Sequence, residues 1–222
     1  MVVAVKLSEK LYYYPETGFT CNSYVIEDGV RVLVDPGHYN HLRDLVELLA
    51  EDGFELRDMD WIINTHAHVD HCGANYDIQR RYDVKVAMHE AEKSYLEQVD
   101  YYHRLLGEYM PSFTVHHWFR GVRDRCIGDL GLIVIHTPGH TPGSISLYSP
   151  EKRYLISGDL VFQGGVGRTD LGGSDAQLKA SIEFVSKLDV EMLLPGHGPL
   201  VVGKSNVVKN FKFVKEFIEY FL

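Results

Sequence analysis

Cysteine is scarce in this 222-residue chain: three residues, Cys21, Cys72 and Cys126, with no Cys-x-x-Cys spacing. An odd, scattered set cannot build a complete disulfide framework, which excludes a disulfide-stapled miniprotein and suits a reducing compartment. Positive charge is also short, with 22 Lys and Arg against 31 Asp and Glu for a net charge of −9. That balance repels a phosphate backbone or an anionic membrane, and no basic run offsets it, so neither nucleic acid nor membrane is expected as a partner. Long apolar runs are missing too: no stretch approaches the ~18 residues of a membrane span. The opening segment meets Lys6 too early for a signal peptide. A cytoplasmic protein is the expectation.

What the chain does have is material for a sizeable core. Hydrophobic residues make up 45% of it, enough at this length to bury roughly 70% of the unfolded surface. No repeat, low-complexity stretch or composition break marks a linker, so one domain over 1–222 is expected. Short β segments open it at 2–7, 19–27 and 30–35, with the turn signal Glu27-Asp28-Gly29 before the last. Tyr12-Tyr13-Tyr14 reads as a β edge with half-buried rings. Apolar positions at 42, 45, 46, 48 and 49, stopped by Gly53, predict an amphipathic helix over 41–53. A strand at 61–65, helical 72–83 and a strand at 84–89 predict a βαβ unit. Residues 90–110 read as helical, and 111–125 show no clear period. Strands at 132–140, 144–149 and 153–159 follow, then a Gly-rich loop at 164–173 and a helix over 174–188 with Ser174 as N-cap. A last buried strand at 192–198 and an amphipathic helix at 205–221 complete an α/β pattern.

Histidine stands out, with twelve residues, and its placement matters more than its number. Thr65-His66-Ala67-His68-Val69-Asp70-His71 sets four candidate ligands within six residues at a strand end. Alternate residues of an extended segment point the same way, so His66 and His68 can reach one cation. Asp70 and His71, on the turn into the next helix, can reach a second point nearby. His140 lies in Thr137-Pro138-Gly139-His140-Thr141-Pro142-Gly143, where Pro and Gly fix a turn. Asp159 follows an apolar strand and has the two oxygens needed to bridge two cations, and His197 in Pro195-Gly196-His197-Gly198 again ends a strand. A lone His of this kind is more often a turn or cap residue satisfied by backbone; seven ligand-type residues at strand ends favour metal. Imidazole and carboxylate without thiolate suit zinc, iron or manganese. Water held between two such cations becomes largely hydroxide near neutral pH, because a metal lowers its pKa from 15.7 to about 7. A thioester is a natural substrate for it, since a thiolate leaves with little need of a proton.

At these residues, and at Val34-Asp35-Pro36-Gly37 before them, the chain resembles the metallo-β-lactamase superfamily over nearly its whole length. The resemblance implies a four-layer αβ/βα sandwich, two mixed β-sheets flanked by helices, with the metal site at one edge. It implies two divalent metal ions, zinc first, with iron or manganese as alternatives. His66, His68 and His140 would hold one, Asp70, His71 and His197 the other, with Asp159 bridging and Asp35 supporting from behind. Asp70 and Asp159 would be the catalytic carboxylates. Gly158-Asp159-Leu160-Val161-Phe162, followed by Gly167-Arg168-Thr169-Asp170, resembles the glyoxalase II branch and its relatives the persulfide dioxygenases. A metal-dependent thioester hydrolase, similar to hydroxyacylglutathione hydrolase and using a metal-bridging hydroxide, is the implied activity. The alternatives are a mononuclear iron persulfide dioxygenase on His66, His140 and Asp159 and a metal-stabilised binding domain without catalysis. Intact His68, Asp70 and His71 count against the last. Glyoxalase II carries a longer C-terminal helical extension than this chain, in which 25 residues follow His197. The implied partner is a small-molecule substrate, thioester or persulfide, and a homo-oligomer is compatible with the pattern.

Arg168 reads either as a clamp for a substrate carboxylate, which its planar fork matches, or as the partner of Asp170. Cys72 reads as a small buried filler before a reactive thiol. His116-His117-Trp118 read equally as lining of the substrate entrance and as an aromatic loop packed on the core. His38, His41, His89, His103 and His136 read as structural or surface residues, and the terminal helix as packed on the domain before a dimer contact.

Overall fold

The structure, a computed structural model, describes residues 4–105, 107–128 and 131–221. Among these, thirteen strands pair into two sheets. The first runs in chain order: β1 (Val5–Ser8), β2 (Leu11–Tyr14), β3 (Ser23–Glu27), β4 (Arg31–Val34), β5 (Trp61–Ile63), β6 (Lys85–His89) and β7 (His117–Phe119). It is antiparallel as far as β4 and parallel from β4 to β7. The second also runs in chain order: β8 (Arg123–Arg125), β9 (Ile133–His136), β10 (Ile145–Ser149), β11 (Tyr154–Gly158), β12 (Met192–Pro195) and β13 (Val201–Val202). Only its β11–β12 pair is parallel. The helices are α1 (Leu42–Glu51), α2 (Val69–Cys72), α3 (Asn75–Gln79), α4 (Glu92–Leu105), α5 (Asp175–Val185) and α6 (Lys204–Phe221).

Alternation along the strands builds the layers, because successive side chains leave opposite faces of a sheet. Tyr24 and Ile26 of β3 and Val32 and Val34 of β4 meet Val134, Leu147 and Ile156 of the second sheet. The intervening Val25 and Leu33 turn outward onto Leu45, Leu48 and Leu49 of α1 and Tyr95 and Val99 of α4. Leu155 and Leu193 face away from the first sheet, against Leu178 and Ile182 of α5 and Val207, Phe211 and Val214 of α6. The result is helix, sheet, sheet, helix, the four-layer sandwich that the family resemblance implied. Each such side chain contributes roughly 1.5–3 kcal/mol through burial. Among the described residues no helix is long and apolar enough to cross a membrane.

Some elements differ from the sequence reading. The Tyr12-Tyr13-Tyr14 strand is no edge: β1 and β3 flank it, and Tyr12 and Tyr14 are buried. Residues 111–125 hold β7 and β8, three residues each, too short to display a period. His116 Nδ1 accepts from Val86 N (3.1 Å) and Trp118 packs on the outer core of the first sheet, so the aromatic packing reading holds there. The helical stretch 72–83 gives way to α2 and α3, separated at Gly73. Strand β13 lies beyond the expected last strand. Residues 2 and 3 of the first expected strand, and residue 106 of the expected 90–110 helix, lie outside the described residues.

The two sheets are tied together at the edge where β5, β11 and β12 end. Ile145 N donates to Thr65 O (2.9 Å) and Asn22 N to Gly196 O (2.7 Å). Gly158 has φ +50°, and a Cβ there would stand 2.7 Å from Thr65 Cβ. Glycine alone allows both that left-handed backbone and that approach at little cost.

Candidate metal centre

His66 and His68 follow β5, and His140 is carried by the turn between β9 and β10. One nitrogen from each lies within 4.8 Å of the others, and His66 Nε2 is 3.1 Å from His140 Nε2. The other nitrogen of each ring is committed, which assigns its tautomer. Thr65 Oγ1 donates to Asp35 Oδ2 (2.7 Å) and therefore accepts from His66 Nδ1–H (3.0 Å). The Tyr95 hydroxyl donates to Leu171 O (2.5 Å) and therefore accepts from His68 Nε2–H (2.8 Å). Arg168 O accepts from His140 Nδ1–H (2.6 Å). Burial pulls the pKa of all three rings below the ordinary value of 6.5, which keeps them neutral.

Asp70 and His71 lie on α2, and His197 follows β12. These three also offer atoms within 4.8 Å of one another. His197 Nε2 is 3.2 Å from Asp70 Oδ2 and 3.3 Å from His71 Nε2. Their outer nitrogens are engaged as well: Asp35 Oδ2 accepts from His71 Nδ1 (2.9 Å) and Glu16 Oε2 from His197 Nδ1 (2.6 Å). Asp35 adopts φ +51°, a backbone that Asp tolerates better than most residues. Its second oxygen, Oδ1, accepts from Thr65 N (2.8 Å). Asp159, just past β11, faces both groups. Its Oδ1 is 3.1 Å from His71 Nε2, and its Oδ2 is 3.4 Å from His140 Nε2 and 3.5 Å from His197 Nε2. Burial opposes ionisation of Asp159, but the charge of His71 and its hydrogen bond to the carboxylate prevail and hold the carboxyl down to about 2. For His197 burial is again outweighed, here by hydrogen bonds from the ring to Asp70 and Glu16, which push it up to about 9.

Ring nitrogens that face one another at 3.1 and 3.3 Å, each with its opposite nitrogen fixed as a donor, repel as bare lone pairs. A proton or a cation must stand among them. Five imidazoles and two carboxylates form a donor set suited to zinc, iron or manganese, and the residues fit two divalent cations side by side. Cys21 also lies within 4.8 Å of Asp35 and His71. Burial pushes its thiol up to about 12, so it stays a protonated packing residue. Cys72 is fully buried and its thiol is likewise raised by burial, in keeping with the filler reading.

A cavity of about 690 Å³ opens onto this centre. Phe19, Val69, Phe162 and Leu171 supply apolar wall, and Arg168 stands at the rim with its Nε and Nη2 on the two carboxylate oxygens of Asp170 (2.6 and 2.5 Å). His103, read from sequence as structural, both lines this cavity and accepts from Val69 N (3.2 Å) at the start of α2. The buried Glu92 was not singled out by any motif. Its Oε1 accepts from Thr141 Oγ1 (2.5 Å) and Gly143 N (2.7 Å), bracing the turn that carries His140. Burial pushes the Glu92 carboxyl up to about 7. Glu16 and Tyr95 carried no sequence signal either, and Thr65 only its position beside His66.

A family model described as "Metallo-beta-lactamase superfamily" matches residues 17–197. Among similar proteins, "Probable metallo-hydrolase YqgX" of Bacillus subtilis is 34% identical over 181 residues, covering 79% of this chain and 83% of that protein. "Hydroxyacylglutathione hydrolase GloC" of Haemophilus influenzae is 29% identical, covering 83% of this chain and 88% of its own length. The crystal structure of TTHA1623 in a di-iron-bound form superposes with a TM-score of 0.74 at 32% identity, covering 89% of this chain and 97% of that one.

Proposed function

The chain belongs to the metallo-beta-lactamase superfamily, and from that membership we propose that it is a metal-dependent hydrolase whose substrate is a thioester. The observation that carries the proposal is Asp159, one carboxylate within 3.5 Å of imidazoles from both ligand groups, the reach a bridging ligand needs. His66, His68 and His140 would hold one divalent cation and Asp70, His71 and His197 the other, with Asp159 between them and zinc as the metal. Bound there, the cations supply Lewis acidity toward a carbonyl and lower the pKa of water from 15.7 to about 7.

The chain's own residues supply orientation and exclusion. Asp35, Thr65, Tyr95, Glu16 and the Arg168 carbonyl each hold the outer nitrogen of a ring as the donor, so that the inward nitrogens would turn lone pairs to the cations, which would take the place of the proton between His197 and Asp70. Phe19, Val69, Phe162 and Leu171 give the acyl group an apolar wall. Arg168 meets a substrate carboxylate by exchanging it for Asp170, fork to fork. With the outer nitrogen of each imidazole held by its partner and the inner one turned to a cation, none of the five would serve to protonate a leaving group. A thiolate needs no such proton, which is why a thioester suits this centre, and the GloC relative, a hydroxyacylglutathione hydrolase by name, supports that class.

A second reading draws on His66, His140 and Asp159 alone, two imidazoles and one carboxylate, as an iron site for persulfide oxidation. One experiment separates the two. The purified full chain is assayed for metal content, for thiol release from S-acyl thiols, and for oxygen uptake with a persulfide. Metal-dependent thiol release with about two ions per chain is expected. Oxygen uptake by a one-iron protein that releases no thiol would overturn the hydrolase.

A further inference from the structure

Glu16 and His197 are 181 residues apart in the chain and joined by a 2.6 Å hydrogen bond. We propose that Glu16, on the loop between β2 and β3, is a positioning residue that decides whether the second cation site fills. One site is then built in and the other conditional. The inference rests on the two-cation reading above.

The two ligand groups differ at His197: His71 of the second group is as buried as the first group's rings and rests on buried Asp35, and His197 is not. His66, His68 and His140 are buried, at most 7% exposed, and their outer nitrogens meet a buried threonine, a buried tyrosine and a backbone carbonyl. His197 is 27% exposed and sits between two glycines, one of them, Gly198, at φ +74°. Its backbone is intrinsically free, and its outer nitrogen meets only a carboxylate on a surface loop. That carboxylate works on ring and backbone together: Oε2 takes the His197 Nδ1 proton while Oε1 accepts from Gly198 N (3.0 Å).

The loop carrying Glu16 is in turn tied to the loop carrying His197. Asn22 Oδ1 accepts from Glu16 N (3.0 Å), and Asn22 Nδ2 donates to Pro195 O (3.0 Å) and Gly198 O (2.8 Å). Glu16 thus stands on a frame fixed to the segment it orients. Both its oxygens are used on the outer side of His197, so it acts through that ring and not as a ligand itself. A carboxylate behind an imidazole fixes the tautomer and raises its basicity toward a metal, and loss of such a partner typically weakens metal affinity about 10–100-fold.

The test uses the full chain loaded with zinc and equilibrated against a graded chelator, with zinc per chain read by elemental analysis. In Glu16→Ala the more weakly held zinc is expected to weaken about 10–100-fold, with the tighter one within about twofold of wild type. Glu16→Gln, which keeps one acceptor oxygen, is expected to fall between, a rescue that general loosening of the loop would not give. The tighter zinc doubles as the check that the variant is folded. If the wild type holds two zincs and both variants release them as it does, or lose both together, the role of Glu16 is overturned while the two-cation reading stands. If the wild type never holds a second zinc, both are overturned.

Discussion

His66 Nε2 and His140 Nε2 face each other at 3.1 Å across the seam between the two sheets, one at the end of β5 and the other on the turn after β9. A cation bound there stabilises the folded state over the unfolded one, by about 4 kcal/mol at a thousand times its Kd. Stripping the metal is therefore expected to lower the thermal midpoint and readdition to restore it. His66→Ala is expected to keep the far-ultraviolet circular dichroism of the fold and lose more than about 100-fold in turnover, beyond what losing an outer partner costs. Retained turnover in that variant would remove the centre from the chemistry.

Asp35 serves Thr65 N, Thr65 Oγ1 and His71 Nδ1 with one carboxylate. Asp35→Asn keeps the size and tolerates φ +51°, but an amide cannot accept on both atoms. Zinc affinity in chelator competition is expected to fall about 10–100-fold. Unchanged affinity would show that the His71 tautomer is set elsewhere.

The candidate ligands are legible in the sequence because they stand at strand ends beside turn residues, and four of the seven fall in the single stretch from His66 to His71. Asp35 is legible through Val34-Asp35-Pro36-Gly37. Glu16, Tyr95 and Glu92 leave no such trace. Each acts through hydrogen bonds spanning 181, 27 and 49 residues, to groups whose position only the folded chain sets. The layers follow from alternation where strands run four or five residues, as in β3, β4, β10 and β11. They fail to show in β7 and β8, where three residues give no repeat. The interior place of β2 depends on β1 covering it, a pairing that its own three tyrosines do not encode.

Glu92 makes stability depend on pH in the unusual direction for an acid. Burial lifts its carboxyl from the ordinary 4.5 to about 7, so between those values the folded chain binds more protons than the unfolded one. Its contribution is fully present below pH 4.5 and is lost as pH rises through about 7, on the order of 3 kcal/mol at most. Glu92→Gln keeps an acceptor for Thr141 and Gly143 without the charge. Urea midpoints of the metal-free proteins at pH 5 and pH 8 are expected to move in favour of the variant at the higher pH. A difference that does not change with pH would mean that Glu92 ionises as freely folded as unfolded.

The Arg168 side chain is exposed and held by Asp170, so trimming it to alanine keeps the backbone carbonyl on His140 Nδ1 and leaves the candidate ligands undisturbed. Arg168→Ala is expected to raise KM for a thioester bearing a carboxylate, with kcat within about twofold, the signature of lost uniform binding. A thioester without a carboxylate should show no change. Equal effects on both substrates would assign Arg168 to the loop and not to the ligand.

Anomalous diffraction at the zinc edge, from crystals of the full chain grown with zinc, tests the metal centre most directly. Two peaks are predicted, one among His66, His68 and His140 and one among Asp70, His71 and His197, with the Asp159 carboxylate between them. A pocket without anomalous density, its imidazoles still paired with one another and with Asp159, would contradict it.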